Sequence, residues 1–434
     1  MSIHLNSDGL PVRVQKPQRR QKELRTLALD ELIPADHPAR DVWRYVGSLD
    51  LSAFYLDMEA VEGGPGRDGV DPPILLALWL WATIEGISSA RELEKLCQRD
   101  FVYQWLCGGV GVNRDLLNTF KNQHPKELDE LMTQTIGVLL HHDLVSLTRV
   151  AQDGMRVRAS AGKSSFHRRA TLEKHLEDAR EQVQQLRQDG EDESEGRNRR
   201  DAARLRAAED RQRRLEQALA EREKLQAQKE QQKRNSGVEA RTSETDPEAR
   251  IMKMADGGYR PAYNLQFATA CGSRIIVGVD VTNEGSDSGQ MEPMVSQLEQ
   301  KFGTKPEEYL VDGGFSSRDD TTHLERSGVK VYSPIKKEEA LLEQGGDPYA
   351  RRRGDTDEYY VYRQRMKTPE AKTIYRERCS TAEFPNAGCR NRGLHQFNVR
   401  GLTKTKAVAL WHALVHNLRM ILYHGWLPVV CQPG

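Results

Sequence analysis

Apolar residues in the first third of the chain recur at the three- and four-residue spacing of helices. One helix is predicted from Pro72 to Gly86, because it starts with prolines, whose missing N–H groups cost nothing in a first turn, and stops at a glycine. Ser89 and Glu92 have the spacing of a capping box at the start of the next helix. We therefore predict a helical domain at residues 29–142, preceded by a flexible arm at residues 1–28.

Beyond this helical region the pattern becomes that of a sheet. Tyr263 to Thr269 alternates with period two, as a half-buried strand does. Ile275 to Val281 is almost continuously apolar, which favours a central strand covered on both faces. Two further strands are predicted to end at Asp153 and at Asp312, and helices predicted at Met291–Phe302 and Arg318–Arg326 separate the later strands. This order predicts an α/β fold with a mixed sheet flanked by helices.

A long charged segment at residues 170–245 interrupts the sheet pattern. Apolar residues in its first half repeat at spacings of four and three, as in a coiled coil, at Leu172, Leu176, Ala179, Val183 and Leu186. A polar stretch follows, and then a second, weaker apolar seam. Two amphipathic helices joined by a polar turn can bury their stripes on each other, so we predict an antiparallel helical hairpin. A disordered linker is the alternative. The α/β domain then occupies residues 143–169 and 246–428.

Composition narrows the class of protein. Hydrophobic residues make up 37% and charged residues 29% of the 434 residues. No run approaches the roughly 18–20 apolar residues that a membrane span needs, and the N-terminus lacks the pattern of a secretory signal. The six cysteines are scattered without a C-x-x-C pair, which argues against a disulfide framework and a zinc finger. These features predict a cytoplasmic protein without a membrane partner.

Asp153 and Asp312 are the first candidates for chemistry. Each follows an apolar, β-rich run and is followed directly by glycine. A single aspartate in such a place is most often a turn-former or a helix cap. Two in equivalent settings favour a shared cation, because a carboxylate at the end of a buried strand costs free energy unless it is paired or ligates something. The ends of strands are also where sites collect in α/β sheets.

The charge distribution points to a phosphate-containing partner. The formal net charge is zero. Basic residues nevertheless crowd the N-terminal arm, surround Asp153 and fill the stretch from Arg390 to Lys406, which contains no acid. A run of basic residues usually belongs to a solvent-exposed surface. Basic runs beside candidate carboxylates, however, favour binding of a nucleic-acid backbone. The helix–glycine–helix step around Gly86 is compatible with a DNA-reading helix-turn-helix and equally with ordinary packing.

Successive blocks of the chain resemble those of bacterial insertion-sequence DDE transposases. Residues 36–130 also resemble the helical N-terminal domain that one type of these enzymes carries. The resemblance rests on the order and collinearity of the blocks and extends over all but the N-terminal arm. The blocks are Asp153–Ala159, Thr245–Arg250, Tyr263–Gln266, Tyr309–Phe315, Glu383 with its flanks, Arg400–Leu402 and His416–Leu418.

This resemblance implies an RNase H-like catalytic core in which Asp153, Asp312 and Glu383 are the catalytic, metal-binding acids. For the third acid the family pattern is Tyr, two residues, Arg, three residues, Glu, six residues, Lys. Here four residues separate Arg378 from Glu383, and Arg390 takes the lysine position. Arginine at this position keeps the positive charge, but its planar guanidinium group replaces the compact ammonium group of lysine.

Two other acids, Glu370 and Glu377, compete with Glu383 for the third catalytic position. Glu383 is preferred because it keeps the downstream spacing to Arg390. The resemblance also implies two Mg²⁺ ions, with Mn²⁺ as a substitute, since hard oxygen ligands suit such ions and a pair of them promotes phosphodiester cleavage. Residues predicted to contact DNA are Arg156, Arg378, Arg390, Arg400 and Lys404.

The resemblance further implies a DNA-binding or assembly role for the helical domain at residues 29–142. It implies double-stranded DNA partners, namely terminal inverted repeats and target DNA, and a homo-oligomer in the bacterial cytoplasm near the nucleoid. The expected reaction is strand cleavage at element ends followed by strand transfer. The alternatives are an inactive or co-opted DNA-binding protein, or an RNase H-like nuclease without strand transfer.

Overall fold

A computed structural model describes residues 26–432 except 27, 57, 59, 61–67, 193–198 and 232–236. Nearly all of the predicted arm at residues 1–28 lies outside the described residues. The N-terminal region is helical, as predicted, with short 3₁₀ turns at Leu29–Leu32 and Ser52–Tyr55. Its helices are α1 (Pro38–Gly47), α2 (Pro72–Ile84), α3 (Ala90–Arg99), α4 (Phe101–Cys107), α5 (Arg114–Gln123) and α6 (Pro125–His141).

The remainder of the chain alternates strands and helices. The first part contains β1 (Arg149–Arg158), β2 (Phe166–His167), α7 (Arg169–Asp192), α8 (Arg199–Gln231) and β3 (Thr242–Ser243). The second part contains β4 (Arg250–Lys253), β5 (Tyr259–Ala270), β6 (Ile276–Thr282), α9 (Met291–Phe302), β7 (Glu308–Leu310), α10 (Arg318–Arg326) and β8 (Lys330–Tyr332). The last part contains α11 (Glu338–Glu343), α12 (Asp357–Lys367), α13 (Pro369–Asn391), α14 (Leu402–Tyr423) and α15 (Leu427–Val430).

Helix α2 shows why the helical region and the sheet share one core. It is apolar on all sides, and almost all of its residues are buried. A helix of this kind needs neighbours around its whole circumference. Helices α1, α4, α5 and α14 pack around α2. Helix α14 also packs on α6 and on β6. Because α14 contacts both regions, the buried apolar side chains of the helical region and of the sheet form one continuous cluster.

The sheet is mixed, as predicted, with strand order β4-β5-β1-β7-β8 and β6 paired to β5 beside β4. Strands β1 and β5 are antiparallel, whereas β1 with β7 and β7 with β8 are parallel. Helices pack on this sheet, including α13 over β1 and β5. This mixed sheet flanked by helices is the RNase H-like architecture expected from the sequence.

Two expectations about strands were wrong. Asp153 does not end its strand: β1 continues to Arg158, because β5 is long enough to pair with it throughout, with Asp153 opposite Phe267. Strand β6 is not central, since its only partner in the described sheet is β5. Its apolar faces are covered by α9 and α14 instead, and Asn417 of α14 both donates to and accepts from the backbone of Ile276 at 2.8 Å.

The segment between β2 and β3 is the predicted helical hairpin. Arg180 pairs with Glu216 at 3.4 Å and Arg187 with Glu209 at 2.7 Å, so α7 and α8 run antiparallel. Their packed interface is a small separate cluster of Leu172, Leu176, Ala179, Leu215 and Ala218. Strands β2 and β3 form a two-stranded ribbon at the root of this hairpin. Among the described helices, none has the length and apolar character needed to cross a bilayer.

Candidate active site

Three acidic side chains from distant parts of the sequence surround one guanidinium group. Nη2 of Arg378 donates to Oδ1 of Asp153 at 3.2 Å and lies 4.0 Å from Oδ2 of Asp312. Nη1 of the same side chain lies 3.6 Å from Oε1 of Glu383. The structure therefore brings together the three acids that the sequence singled out, with Arg378 between them.

The register of two parallel strands explains why the two aspartates meet. The last paired residues of β1 and β7 are Ala151 and Leu310. Asp153 and Asp312 each lie two residues beyond this pair. Both residues are therefore at the same level of the sheet, just past the carboxyl end of β7. The third acid comes from α13, which packs across β1 and β5 and brings Glu383 over this part of the sheet.

The electrostatics of the site favour a cation. The pKa of Asp153 is raised to about 6, chiefly by burial and also by the charge of Asp312, whereas Arg378 and a hydrogen bond from Asn386 act to lower it. A single guanidinium cannot neutralise three carboxylates. The side chains of Asp312 and Glu383 remain 42% and 55% exposed, so an ion can reach them from solvent.

Asn386 is a residue of this site that the sequence analysis missed. Its Nδ2 donates to Oδ2 of Asp153 at 2.8 Å. Its Oδ1 is buried and has no hydrogen-bond donor among the described residues. Asn386 lies three residues after Glu383 on α13, so the two share a face of the helix, which is the signal that could have found it. The site thus combines carboxylate oxygens with an unpaired amide oxygen, a donor set that suits a hard divalent cation.

A second buried acid, Asp287, supports the same part of the sheet. Its Oδ1 accepts from Nδ2 of Asn264 at 2.7 Å and from Nε2 of Gln266 at 2.9 Å. The sequence predicts a helix cap at Asp287, but α9 begins only at Met291 and its N-cap residue is Gln290. For Asn264 and Gln266 the sequence left open a recurring family pattern and the polar face of a strand, and the structure buries both side chains with Asp287.

The glycine after Asp153 is needed for close approach to this cluster. A Cβ atom at Gly154 would lie 2.2 Å from Oδ1 of Asp287 and 2.7 Å from Nε2 of Gln266. A Cβ at Gly314 would lie 2.9 Å from Oδ1 of Asp312 and 3.8 Å from Oδ2 of Asp287. A side chain at Gly154 would therefore collide with Asp287, and one at Gly314 would collide with Asp312. The absence of both side chains lets the Asp287 cluster lie close to the two aspartates of the site.

The rival acids lie elsewhere. Oε1 of Glu377 accepts from Nη1 of Arg149 at 2.7 Å, and Arg149 also pairs with Glu308 at 2.5 Å. Glu377 is thus committed to an ion-pair network outside the carboxylate group. Glu370 lies in the exposed first turn of α13.

The residues predicted to contact DNA occupy several settings. Arg156 donates to the carbonyl of Gly285 and to Asp287, each at 3.0 Å, and so faces the buried acid. Arg390 is exposed on α13. Arg400 and Lys404 line an open cleft of about 650 Å³ between the start of α14 and the side of α8. Arg378 contacts the carboxylates described above.

Comparison with known families gives two matches. A family model described as "Transposase DDE domain" matches residues 236–418, and one described as "Transposase domain (DUF772)" matches residues 27–121. The first match contains Asp312 and Glu383 but begins after the helical hairpin, so Asp153 lies outside it. Searches of curated proteins and of solved structures found no match.

Proposed function

The chain belongs to the DDE transposases of insertion sequences, and we propose that it cleaves DNA at the ends of its own element and joins those ends to target DNA. One observation carries this proposal. Asp153, Asp312 and Glu383 come from three separate elements and share the single positive charge of Arg378. Such a group of acids has more negative charge than its partner can balance.

In this proposal Asp153, Asp312 and Glu383 hold two Mg²⁺ ions, with Mn²⁺ as a substitute. When bound, such a pair of ions activates the attacking oxygen and stabilises the departing one. Asn386 keeps Oδ2 of Asp153 occupied and so orients its Oδ1 toward the centre of the site. While no ion is present, Arg378 offsets part of the negative charge of the three carboxylates. Once their charge is balanced, its guanidinium is free to turn toward a phosphate of the DNA.

The reaction proceeds in two chemically similar steps at this one site. Water attacks a phosphorus atom at the element end, the bond from phosphorus to the 3′ oxygen breaks, and a free 3′-hydroxyl results. That hydroxyl then attacks a phosphodiester of the target, forming one phosphorus–oxygen bond and breaking another, so the number of phosphodiesters is conserved. No covalent bond to the protein forms in either step.

Double-stranded DNA is the proposed partner, as terminal inverted repeats and as target. The cleft beside Arg400 and Lys404 lies at the start of α14 and is open to solvent. Among the described residues neither side chain forms a close ion pair, although Asp246 and Glu248 also line the cleft. We propose that both side chains contact phosphates. Joining two ends in one event requires two active sites, which is why we propose a homo-oligomer.

The proposal is tested by strand cleavage and strand transfer with a labelled element end in Mg²⁺. We expect Asp153→Asn, Asp312→Asn and Glu383→Gln each to lower both activities on the order of 10³-fold or more, because each removes a charged ligand. Glu377→Gln is the matched control from the same helix and should retain activity within a few-fold of wild type. Activity that survives in any of the first three variants removes that residue from the site, and cleavage without strand transfer favours a nuclease.

A further inference from the structure

We infer that His167, His175 and Glu244 form a binding site for a transition-metal ion of the zinc class at the root of the helical hairpin. The three residues belong to different pieces of the root: His167 ends β2, His175 lies in the second turn of α7, and Glu244 follows β3 directly. The site shares no residue with the carboxylate group of the proposed active site. It is therefore independent of the proposed reaction.

The ligand atoms already converge. One nitrogen from each histidine and one carboxylate oxygen all lie within 4.8 Å of one another. Nδ1 of His175 is 2.8 Å from Oε2 of Glu244, and Nε2 of His167 is 3.8 Å from Oε1. In a tetrahedral zinc site with bonds of about 2.0–2.1 Å, neighbouring ligand atoms are about 3.3 Å apart. Small side-chain rotations would close the present arrangement onto an ion.

A simple hydrogen-bonded pair does not account for this geometry. His175 and Glu244 alone would make such a pair. The 3.8 Å separation from Nε2 of His167 to Glu244 exceeds the length of a hydrogen bond. The two imidazole rings nevertheless face the same carboxylate, with their centroids 5.2 Å apart. An ion between them gives a role to all three side chains.

The surrounding charges permit a cation. Arg168 and Arg169 follow His167 directly in the sequence, and both are turned to other acids. Nε of Arg169 contacts Glu173 at 2.7 Å, and Nε of Arg168 lies 3.6 Å from Glu239. The carboxylate of Glu244 is thus left to the two histidines. The three side chains are 24–30% exposed, so an ion can enter from solvent.

The donor types select the class of metal. Two imidazole nitrogens and one carboxylate suit Zn²⁺ or a similar late first-row ion, with water completing the coordination, whereas Mg²⁺ prefers oxygen ligands only. The bound ion would link the β2–β3 ribbon to α7 beside Leu172, which is the first residue of the hairpin's packed interface. The hairpin would then be fixed at its root by the metal as well as by packing.

The test uses the full chain without an affinity tag, carrying Asp153→Asn and Asp312→Asn so that the carboxylate site does not contribute. Zn²⁺ is titrated by calorimetry, and Co²⁺ is added as a spectroscopic probe. We expect one Zn²⁺ per chain and a visible absorption band typical of tetrahedral Co²⁺. His167→Ala, His175→Asn and Glu244→Gln should each weaken Zn²⁺ binding by at least about tenfold, because each removes one of three protein ligands.

The matched control is the adjacent pair His141 and His142, whose ring centroids are also 5.2 Å apart. Replacing both with alanine should leave Zn²⁺ binding unchanged, because the described residues place no third ligand beside them. Circular dichroism checks that each variant is folded, and Glu244→Gln keeps a hydrogen-bond acceptor for His175. Absence of stoichiometric Zn²⁺ binding overturns the inference, and so does binding that persists when His167 and His175 are both replaced.

Discussion

Asn386 donates a 2.8 Å hydrogen bond to Oδ2 of Asp153, on the oxygen opposite the one that Arg378 contacts. The two oxygens of this carboxylate are thereby distinguished. One is held by an uncharged amide, and the other faces the remaining acids of the site. Asn386 therefore acts as a positioning residue for Asp153.

Replacing Asn386 with alanine should lower strand cleavage on the order of 10- to 100-fold, in line with the loss of a group that orients a metal ligand. The hydrogen bond lowers the pKa of Asp153, so its loss should also move the acidic limb of the pH–rate profile to higher pH. Asn391→Ala, at the exposed end of the same helix, is the control and should behave as wild type. A purely structural role for Asn386 would lower the rate without moving the acidic limb.

Asp153→Asn should abolish activity and yet stabilise the protein at neutral pH. Without metal, the pKa of Asp153 is about 6 in the folded chain, whereas the ordinary value for an aspartate side chain is 3.8. Burial is the main cause of this difference. The folded state thus prefers the protonated acid, and stability is lost as the pH rises through this window. Above pH 6 the variant should gain on the order of 1–3 kcal/mol in free energy of unfolding, and near pH 4 the gain should vanish.

This prediction is checked by denaturant unfolding of both proteins in a metal chelator at several pH values. The expected result is a difference in stability that grows between pH 4 and pH 6 and is constant above. Saturating Mg²⁺ should reduce the difference, because ions that bind only the folded wild type stabilise it. A variant that is less stable than wild type at neutral pH would contradict the burial argument.

Gly154→Ala and Gly313→Ala should differ sharply, although each glycine directly follows an aspartate of the site. The new methyl group at Gly154 would lie 2.2 Å from Oδ1 of Asp287, whereas nothing lies within 4 Å of the corresponding point at Gly313. Gly154→Ala should cost about 1–3 kcal/mol of stability and displace the Asp287 cluster. Gly313→Ala should change stability by less than about 0.5 kcal/mol. Thermal unfolding measures both, and equal effects would show that the cluster is not held rigidly.

Arg400→Ala and Lys404→Ala should weaken DNA binding through electrostatics alone. Each side chain lines the cleft beside α8, and each is proposed to contact a phosphate. Loss of one phosphate contact should reduce the slope of log binding constant against log salt concentration by about 1, with little dependence on DNA sequence. Lys330→Ala, exposed on β8 at one edge of the sheet, is the control. An unchanged slope in both cleft variants would show that DNA follows another path.

Local patterns in the sequence determined most of the elements. The predicted helices Met291–Phe302 and Arg318–Arg326 have the same bounds as α9 and α10. The helix beginning at Pro72 and the hairpin also formed, because proline, capping residues and apolar periodicity act within a few turns. The sequence likewise selected the three acids, by their flanks and by the resemblance of their blocks to a known family.

The tertiary structure alone decided how these residues meet. Asp153 lies inside its strand rather than at the end, since β5, more than a hundred residues later, supplies the pairing partner Phe267. The same long-range register places Asp153 and Asp312 side by side, and the position of α13 decides that Glu383 faces them while Glu377 faces Arg149. Asn386, Asp287 and the His167–His175–Glu244 group depend on contacts between distant segments. Periodicity is a local property, whereas strand register and helix packing depend on the whole chain. The sequence was therefore sufficient to identify the three acids, but only the tertiary structure showed how they come together.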